Sequence, residues 1–280
     1  MGARPVGGAV DERWHGFDRR GPGLVGMGEM PANGAPFVSF VIPAYNEAQR
    51  LEASVRALCE YLGHARWPHE VILVVERSTD GTLELARQVT AGQAEFHVIG
   101  NEIQRGKGYA VRCGMLQARG ELTFFMDADL STPLPEIDGF LAYLAAHPEA
   151  DIVVGNRQHP ESAILKRQSL VRRKMGQGFN TVLRLIAGVS LRDTQCGFKL
   201  FRRAAREAIF PLQKLDGFAF DVEVLLLAGR LGFQVHDRPV RWVNSEGSKV
   251  SIVRDSYRML RDAFRVRRIV EQTLRERGAP

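Results

Sequence analysis

Asp127 and Asp129, two carboxylates one residue apart, are the side chains whose type and spacing point most directly to chemistry. They follow Leu122–Met126, an apolar run typical of a buried strand in a parallel sheet. Residues i and i+2 of an extended segment point the same way, so both carboxylates can converge at the carboxyl end of that strand, where open α/β sheets bind ligands. Such a pair suits Mg²⁺ or Mn²⁺, which bind one or two carboxylates together with a substrate's phosphates. The alternative is a strand end with two solvated aspartates.

Polar residues also follow two other predicted strands, Phe37–Ile42 and Val71–Val75. Tyr45 and Glu47 come after the first strand, and Glu76 comes after the second. Tyr45 could stack on a base, and the two glutamates could accept hydrogen bonds from a base or ribose. Because parallel strands end at a common edge, we expect these residues to gather near the aspartates.

Lys107 lies between two glycines and close to Arg105. Glycines let a backbone approach a diphosphate closely, and the two basic side chains would supply positive charge. A simple turn is the alternative, since a lone Gly-x-Gly is a weak signal and no dinucleotide-binding fingerprint is complete here. Together with the strand-end residues, this segment predicts a nucleoside-diphosphate site with a metal ion bridging the phosphates.

The elements that must position these residues alternate between strand and helix. Further predicted strands are Phe96–Ile99, Asp151–Gly155, a short one within Asp193–Phe201, and an edge strand over Phe233–Val243 that Pro239 breaks. Helical spacing predicts helices over Leu51–Leu62, Leu83–Val89, Gly106–Ala118, Ile137–Leu144, Phe179–Ile186 and Asp221–Ala228, with a last one after Lys249. This alternation predicts an α/β fold, a mostly parallel central sheet with helices on both faces.

The bulk composition is that of a folded protein with an uneven positive charge. The 280 residues are 45% hydrophobic and 25% charged, with a net charge of +6 and a pI of about 9.5. Basic residues concentrate between Lys166 and Lys174 and again from Arg254 onward. Such patches favour an anionic partner, phosphates or a membrane surface, and solvated Arg-rich helices are the alternative.

Cysteine spacing, the length of apolar runs and the composition of the first 36 residues lead to predictions about the compartment and the start of the chain. The three cysteines are widely spaced, which favours reduced thiols in a cytosolic protein. No run of 18 apolar residues is present, so we expect no membrane span. Residues 1–36 contain nine glycines and four prolines and predict a disordered leader.

Five motifs follow one another along the chain: Val41-Ile-Pro-Ala-Tyr-Asn-Glu47, Ser78-Thr-Asp-Gly-Thr82, Asn101 with Arg105-Gly-Lys-Gly108, Met126-Asp-Ala-Asp-Leu130 and Asp193-Thr-Gln-Cys-Gly-Phe-Lys199. In this order they resemble the motifs of the family 2 glycosyltransferases, and more narrowly those of the dolichyl- or polyprenyl-phosphate glucosyl- and mannosyltransferases. The resemblance runs from about Val38 to Lys249. It implies a GT-A fold, a UDP- or GDP-sugar donor, a divalent metal and inversion at the anomeric carbon. The expected organisation is a leader over 1–36, a catalytic domain over 37–250 and a basic amphipathic helix over 251–280.

The resemblance also implies residue roles. Asp129 would hold the metal and Asp127 the ribose or metal, while Pro43, Tyr45 and Glu47 would line the nucleotide pocket. Asp193 and Gln195 would face the sugar and acceptor. Arg167, Arg172 and Arg173 fall where the family has a mobile acceptor loop, and guanidinium groups suit phosphate.

A phosphate acceptor is already ionised at neutral pH and needs no strong base. A hydroxyl acceptor would need one, and Asp193 or Asp221 would be the candidates. For Asp221 the alternative is an acid that favours a helix N-terminus.

Two departures from the family pattern stand out. Glu76-Arg77 stands where the family usually has two acids, or an acid and Asn, which leaves the donor open. Many polyprenyl-phosphate members carry membrane spans, and none is expected here. The Arg-rich last helix could lie on anionic lipid or pack its apolar side on the body.

The first functional hypothesis is transfer of a hexose, with glucose from UDP-glucose favoured, to polyprenyl phosphate. The expected location is cytoplasmic, with peripheral contact at the inner face of a membrane as an option. The alternatives are the same donor chemistry on a soluble hydroxyl acceptor and an inactive nucleotide-sugar-binding module. Asp127 and Asp129 argue against loss of activity, and basic patches without interleaved aromatics argue against nucleic acid.

Overall fold

The computed structural model describes residues 35–164, 191–243 and 252–278, with side chains from residue 258 onward in the last segment. The predicted leader up to residue 34, the predicted helix over Phe179–Ile186 and the predicted acceptor arginines Arg167, Arg172 and Arg173 lie outside the described residues. The predicted division into domains therefore stays a prediction.

Strands and helices alternate along most of the described chain. The strands are β1 Val38–Ala44, β2 His69–Val75, β3 Phe96–Gly100, β4 Leu122–Met126, β5 Ile152–Asn156, β6 Ala163–Ile164, β7 Phe198–Arg202, β8 Val235–Pro239 and β9 Arg241–Trp242. The helices are α1 Leu51–Leu62, α2 Thr82–Val89, α3 Lys107–Gln117, α4 Glu136–Ala146, α5 Arg203–Ile209, α6 Phe220–Arg230 and α7 Ile252–Glu276.

The central sheet has seven strands in the order β3-β2-β1-β4-β7-β5-β8, so β4, which ends at the aspartates, lies in the middle. All pairings are parallel except those of β7, which runs antiparallel between β4 and β5. The predicted α/β fold with a mostly parallel sheet is confirmed. The antiparallel β7 brings the start of that strand, Phe198, opposite Met126 at the end of β4.

Each face of the sheet is covered by helices. On one face, Leu51, Val55, Leu58 and Leu62 of α1 recur at helical spacing and are buried against the sheet, together with apolar residues of α4. On the other face, α3, α6 and part of α7 cover the sheet around Val41. Phe124 of β4 stacks on Phe40 at 5.4 Å between ring centroids, so the central strand is anchored by aromatic packing.

Some short elements differ from the sequence prediction. The predicted strand over Phe233–Val243 is two strands, because Pro239 ends β8 and β9 pairs instead with β6 in a separate two-stranded sheet. Proline has no N–H to donate to a strand ladder, which explains the break. Neither β6 nor α5 was predicted, since two and seven residues are too few to set up a clear apolar period.

The last helix, α7, packs its apolar stripe on the body. Met259, Ala263, Val266 and Val270 are buried, whereas Phe264 is 66% exposed. None of the helices in the described part of the chain is both long and apolar enough to span a bilayer.

Candidate active site

The loops after β1 and β2 are joined by reciprocal hydrogen bonds. The backbone N–H of Asn46 donates to Ser78 Oγ at 3.0 Å, and that of Thr79 donates to Asn46 Oδ1 at 2.9 Å. The N–H of Glu47 donates to Thr82 Oγ1 at 2.9 Å. Asn46 has a φ of 53°, a left-handed conformation that Asn tolerates better than most residues. The motif beginning at Ser78 thus positions the Glu47 loop.

Glu76 organises the loop that leads into α3. Its side chain is buried, and its Oε1 accepts a hydrogen bond from Asn101 Nδ2 at 2.6 Å. Its Oε2 accepts the backbone N–H groups of Arg105 and Gly106 at 2.7 and 2.9 Å. These contacts favour a positioning role for Glu76, and direct contact with a base or ribose stays a prediction.

The glycines on either side of Lys107 pack closely against another part of the chain. A Cβ added to Gly106, whose φ is +131°, would come within 2.5 Å of the carbonyl oxygen of Asp216, and one added to Gly108 within 2.4 Å of that of Leu215. This packing alone accounts for glycine at both positions, whether or not a diphosphate binds there. Arg105, predicted to face the diphosphate, forms an exposed ion pair with Asp216 at 2.7 Å.

Glu47, Lys107, Asp127 and Asp129 meet at the carboxyl edge of the sheet. Lys107 Nζ lies 2.6 Å from Asp127 Oδ1. Arg50 is paired with Glu47, with Nη2 to Oε1 at 2.7 Å, and its Nη1 lies 3.9 Å from Asp129 Oδ2. The predicted gathering of three separate loops is therefore present in the structure.

The free oxygens of the two aspartates fit a divalent ion. Asp129 Oδ1 accepts the N–H of Ser131 at 2.9 Å, while the one partner of Oδ2 among the described residues is the distant Arg50. Asp127 uses Oδ1 for Lys107, and its Oδ2 faces Gly197 so closely that an added Cβ there would lie 1.9 Å away. Carboxylate oxygens are the donors that Mg²⁺ and Mn²⁺ prefer, so this donor set fits. Both side chains are partly exposed, and Asp129 is the more available ligand because its cation lies at 3.9 Å, against 2.6 Å for that of Asp127.

A buried ion pair lies beneath this edge. Lys199, 1% exposed, donates to Asp221 and to the carbonyl oxygen of Cys196, the latter at 2.6 Å. Burial raises the pKa of Asp221, against the lowering effect of Lys199 and Lys107. Burial alone would lower the pKa of Lys107, but the charges of Asp127 and Asp221 raise it above its usual value. The site is therefore an alternation of opposite charges.

Asp193 is locked to Arg157, which directly follows β5. Arg157 donates from its backbone N–H, from Nε at 2.7 Å and from Nη2 at 2.9 Å, and its guanidinium lies 4.8 Å from the ring centroid of Trp242. Burial would raise the pKa of Asp193, but the charge and hydrogen bonds of Arg157 lower it below its usual value. Gln195 lies beside Met259 of α7, with Nε2 to Sδ at 4.0 Å.

Three basic residues of this site were assigned no role from the sequence: Arg50, Arg157 and Lys199. Arg157 could have been found from its place after a strand end. Lys199 could have been found because a lysine between Phe198 and Leu200 in a strand requires a buried partner.

Of the predicted nucleotide residues, Pro43 is buried within β1 and Tyr45 is half-buried beside Asn46. The predicted roles of the site residues stay predictions.

The chain is similar in sequence to known glycosyltransferases. The family described as "Glycosyl transferase family 2" matches residues 39–210. The dolichyl-phosphate beta-glucosyltransferase of Saccharomyces cerevisiae is 34% identical over 279 residues, covering 92% of this chain and 81% of that protein. The enzyme of the same name from Drosophila melanogaster is 37% identical over 240 residues, covering 82% and 74%. The human one is 33% identical over 224 residues, covering 76% and 69%.

Solved structures resemble this fold at lower identity. Mannosyl-3-phosphoglycerate synthase from Rubrobacter xylanophilus has a TM-score of 0.59 at 20% identity, covering 87% of this chain and 75% of that one. Glucosyl-3-phosphoglycerate synthase from Mycobacterium tuberculosis, crystallised with Mn²⁺, UDP-glucose and phosphoglyceric acid, has a TM-score of 0.58 at 19% identity, covering 92% and 86%. At this identity the likeness establishes the fold.

Proposed function

This chain belongs to glycosyl transferase family 2 and has a GT-A fold, and from that premise we propose that it transfers glucose from UDP-glucose to a dolichyl-type polyprenyl phosphate. The observation that carries the proposal is the meeting of Glu47, Lys107, Asp127 and Asp129 at one edge of the sheet. The named activity of relatives at 33–37% identity supports the choice of sugar and acceptor.

The donor would bind across this edge with a divalent ion held by Asp129 and assisted by Asp127. Such an ion supplies Lewis-acid stabilisation of the leaving nucleoside diphosphate. Lys107 fixes Asp127, and Arg50 fixes Glu47 beside the predicted nucleotide pocket of Pro43 and Tyr45. Glu76 would contribute indirectly, because its side chain holds the loop that carries Arg105.

The state of the two candidate bases favours a phosphate acceptor over a hydroxyl acceptor. Asp193 is held by three hydrogen bonds from Arg157, and Asp221 is paired with buried Lys199. Asp193 is a poor general base because Arg157 already engages most of its lone pairs. Asp221 is only 4% exposed and would have to release Lys199 before an acceptor hydroxyl could reach it. A phosphate monoester is largely ionised at neutral pH and attacks without losing a proton to the protein.

The reaction would proceed by inversion in one displacement. A phosphate oxygen of the acceptor forms a bond to the anomeric carbon as the bond from that carbon to the donor's diphosphate breaks. The electron pair of the broken bond leaves with the nucleoside diphosphate. Arg167, Arg172 and Arg173 are proposed to hold the acceptor phosphate, and Gln195 is proposed to face the sugar.

Contact with a membrane surface would bring the lipid acceptor to this site. Arg258, Arg261 and Arg265 are exposed on α7 on either side of the exposed Phe264, a combination that favours an anionic lipid surface. We place this contact at the cytoplasmic face. Co-sedimentation with phosphatidylserine vesicles, compared with phosphatidylcholine vesicles, tests it, and equal sedimentation with both would contradict it.

A donor and acceptor screen tests the proposal. The full chain is incubated with UDP-glucose or GDP-mannose, with Mg²⁺ or Mn²⁺, and with or without polyprenyl phosphate. We expect labelled glucose from the UDP donor to become extractable into organic solvent only when the lipid phosphate is present. Label that moves to a soluble hydroxyl compound would support the alternative acceptor, and no turnover or binding of any nucleotide sugar would refute the enzyme assignment.

Asp129→Asn should lower turnover by roughly 10²–10³-fold, the usual loss for one preorganised electrostatic contact. Glu52→Gln, an exposed acid on α1, is the matched control and should retain activity. Near-normal activity of the Asp129 variant would contradict its metal role.

A further inference from the structure

Two histidines and a glutamate cluster at the edge of the sheet opposite the proposed active site. His147 follows α4, Glu149 lies two residues later, and His236 is the second residue of edge strand β8. His236 is paired in register with Val153 near the start of β5, whereas Arg157 marks the carboxyl end of β5 at the active site. The cluster therefore has no part in the donor site.

The geometry of the cluster is close to that of a metal centre. One ligand atom from each of the three side chains lies within 4.8 Å of the other two. His147 Nδ1 is 3.2 Å from Glu149 Oε1. Ligands about 2.0–2.1 Å from a tetrahedral ion are separated by about 3.3 Å, so the distance between His147 Nδ1 and Glu149 Oε1 already suits zinc. The remaining ligand needs a shift of about 1 Å or somewhat more, which exposed side chains can make.

A neighbouring hydroxyl supplies the kind of support that metal-binding histidines have. Tyr143 of α4 lies 3.1 Å from His236 Nδ1, and its ring centroid is 4.2 Å from that of His147. Outer contacts of this type fix the orientation of a ligand ring.

We propose that His147, Glu149 and His236 bind one Zn²⁺ ion, with water as the fourth ligand. Two imidazoles and a carboxylate suit zinc, whereas Mg²⁺ prefers an all-oxygen set such as that of Asp127 and Asp129. The ion would connect the end of α4 to edge strand β8. It would stabilise the folded chain, because the three ligands are brought together only by folding.

The test is zinc binding by the full chain after removal of any affinity tag. Protein stripped with a chelator is dialysed and then titrated with Zn²⁺ against a chromophoric competitor, with excess Mg²⁺ present throughout. We expect one equivalent of bound zinc and, at about 100-fold excess over Kd, a rise in Tm of about 5–10 °C. Zinc uptake that is absent at micromolar concentration would overturn the proposal.

Variants assign the zinc to these side chains. The double variant His147→Ala/His236→Ala should lose the bound equivalent and the rise in Tm. Glu149→Gln, a milder change at a 55% exposed side chain, should weaken binding at least tenfold. His64→Ala, at an exposed histidine outside the cluster, should bind as the wild type does. Equal zinc binding by the wild type, the double variant and Glu149→Gln would refute the assignment.

Two further variants separate this site from the active site. Tyr143→Phe should weaken zinc binding roughly tenfold, the effect expected of a lost outer contact. Asp129→Asn should leave the zinc equivalent unchanged while turnover is lost. If Asp129→Asn lost the zinc while the variants of the cluster kept it, the ion would belong to the active site and the zinc proposal would be wrong. That result would not contradict the proposed transferase activity.

Discussion

Removing the charge of Lys199 should destabilise the protein and make its stability depend on pH. In Lys199→Met, Asp221 is left buried without its lysine and close to Asp127. Breaking a buried ion pair by removing one partner costs about 3–5 kcal/mol. For a chain of this size we expect Tm to fall by roughly 6–20 °C at pH 8.

The pH dependence of this variant has a definite sign. Burial already raises the pKa of Asp221, and loss of Lys199 removes the main opposing effect, so the pKa rises further. An acid whose pKa is higher in the folded state stabilises folding at low pH and loses that contribution as pH rises through the folded pKa. The difference in unfolding free energy between the wild type and Lys199→Met should therefore be larger at pH 8 than at pH 5.5.

The assay is chemical denaturation at both pH values, with two further variants. Lys199→Met/Asp221→Asn removes both charges and should recover most of the lost stability, since no buried charge is then left alone. Lys214→Met makes the same change at an exposed lysine and should alter stability by no more than about 0.5 kcal/mol. A loss below about 1 kcal/mol at pH 8, or a double variant no more stable than the single one, would refute this reasoning.

Three further substitutions test other contacts. Gly197→Ala would bring a Cβ within 1.9 Å of Asp127 Oδ2 and should lower turnover at least about 10²-fold by displacing that carboxylate. Glu76→Gln cannot accept all three hydrogen bonds that Glu76 receives, and isothermal titration with UDP should show about tenfold weaker binding. Burial raises the pKa of Glu223 to about 7, so stability should decline from pH 6 to 8 in the wild type and less steeply in Glu223→Gln.

Each of these changes has a control at a position without such contacts. Gly229→Ala lies in α6 where an added Cβ would meet no other atom within 4 Å, so it should leave turnover intact. Glu60→Gln, on the exposed side of α1, should change neither UDP binding nor the pH dependence of unfolding. Activity of Gly197→Ala equal to that of Gly229→Ala, unchanged UDP binding in Glu76→Gln, or parallel pH profiles for the wild type and Glu223→Gln would contradict the respective predictions.

The parts of the fold that were predictable are those set by local pattern. The apolar run Leu122–Met126 and the polar residues after it identify a buried strand and its ligand-binding end without knowledge of any neighbour. The order of strands in the sheet and the antiparallel β7 depend on pairing between distant segments, which a local period does not encode. The short elements β6 and α5 were missed for a related reason, because they form where the surrounding fold places them.

The partners of the site residues were less predictable for the same reason. Glu76 hydrogen-bonds to groups 25 to 30 positions further along, and its neighbours in sequence contain no sign of that contact. The glycines beside Lys107 illustrate the limit most clearly. Their spacing predicts a close approach to a diphosphate, which stays a prediction, and it contains no sign of the close packing against Leu215 and Asp216 that the structure shows.

The charges at the active site explain how so many acids can share one edge of the sheet. Four cations and five carboxylates are linked there by ion pairs among the described residues: Arg50, Lys107, Arg157 and Lys199 with Glu47, Asp127, Asp129, Asp193 and Asp221. One carboxylate is in excess, and Asp129, whose basic partner is the most distant at 3.9 Å, is the least neutralised. A divalent ion at Asp129 would change the balance from one negative charge to one positive charge. Because a diphosphate is anionic, we expect donor binding to depend on that ion rather than on the basic residues alone.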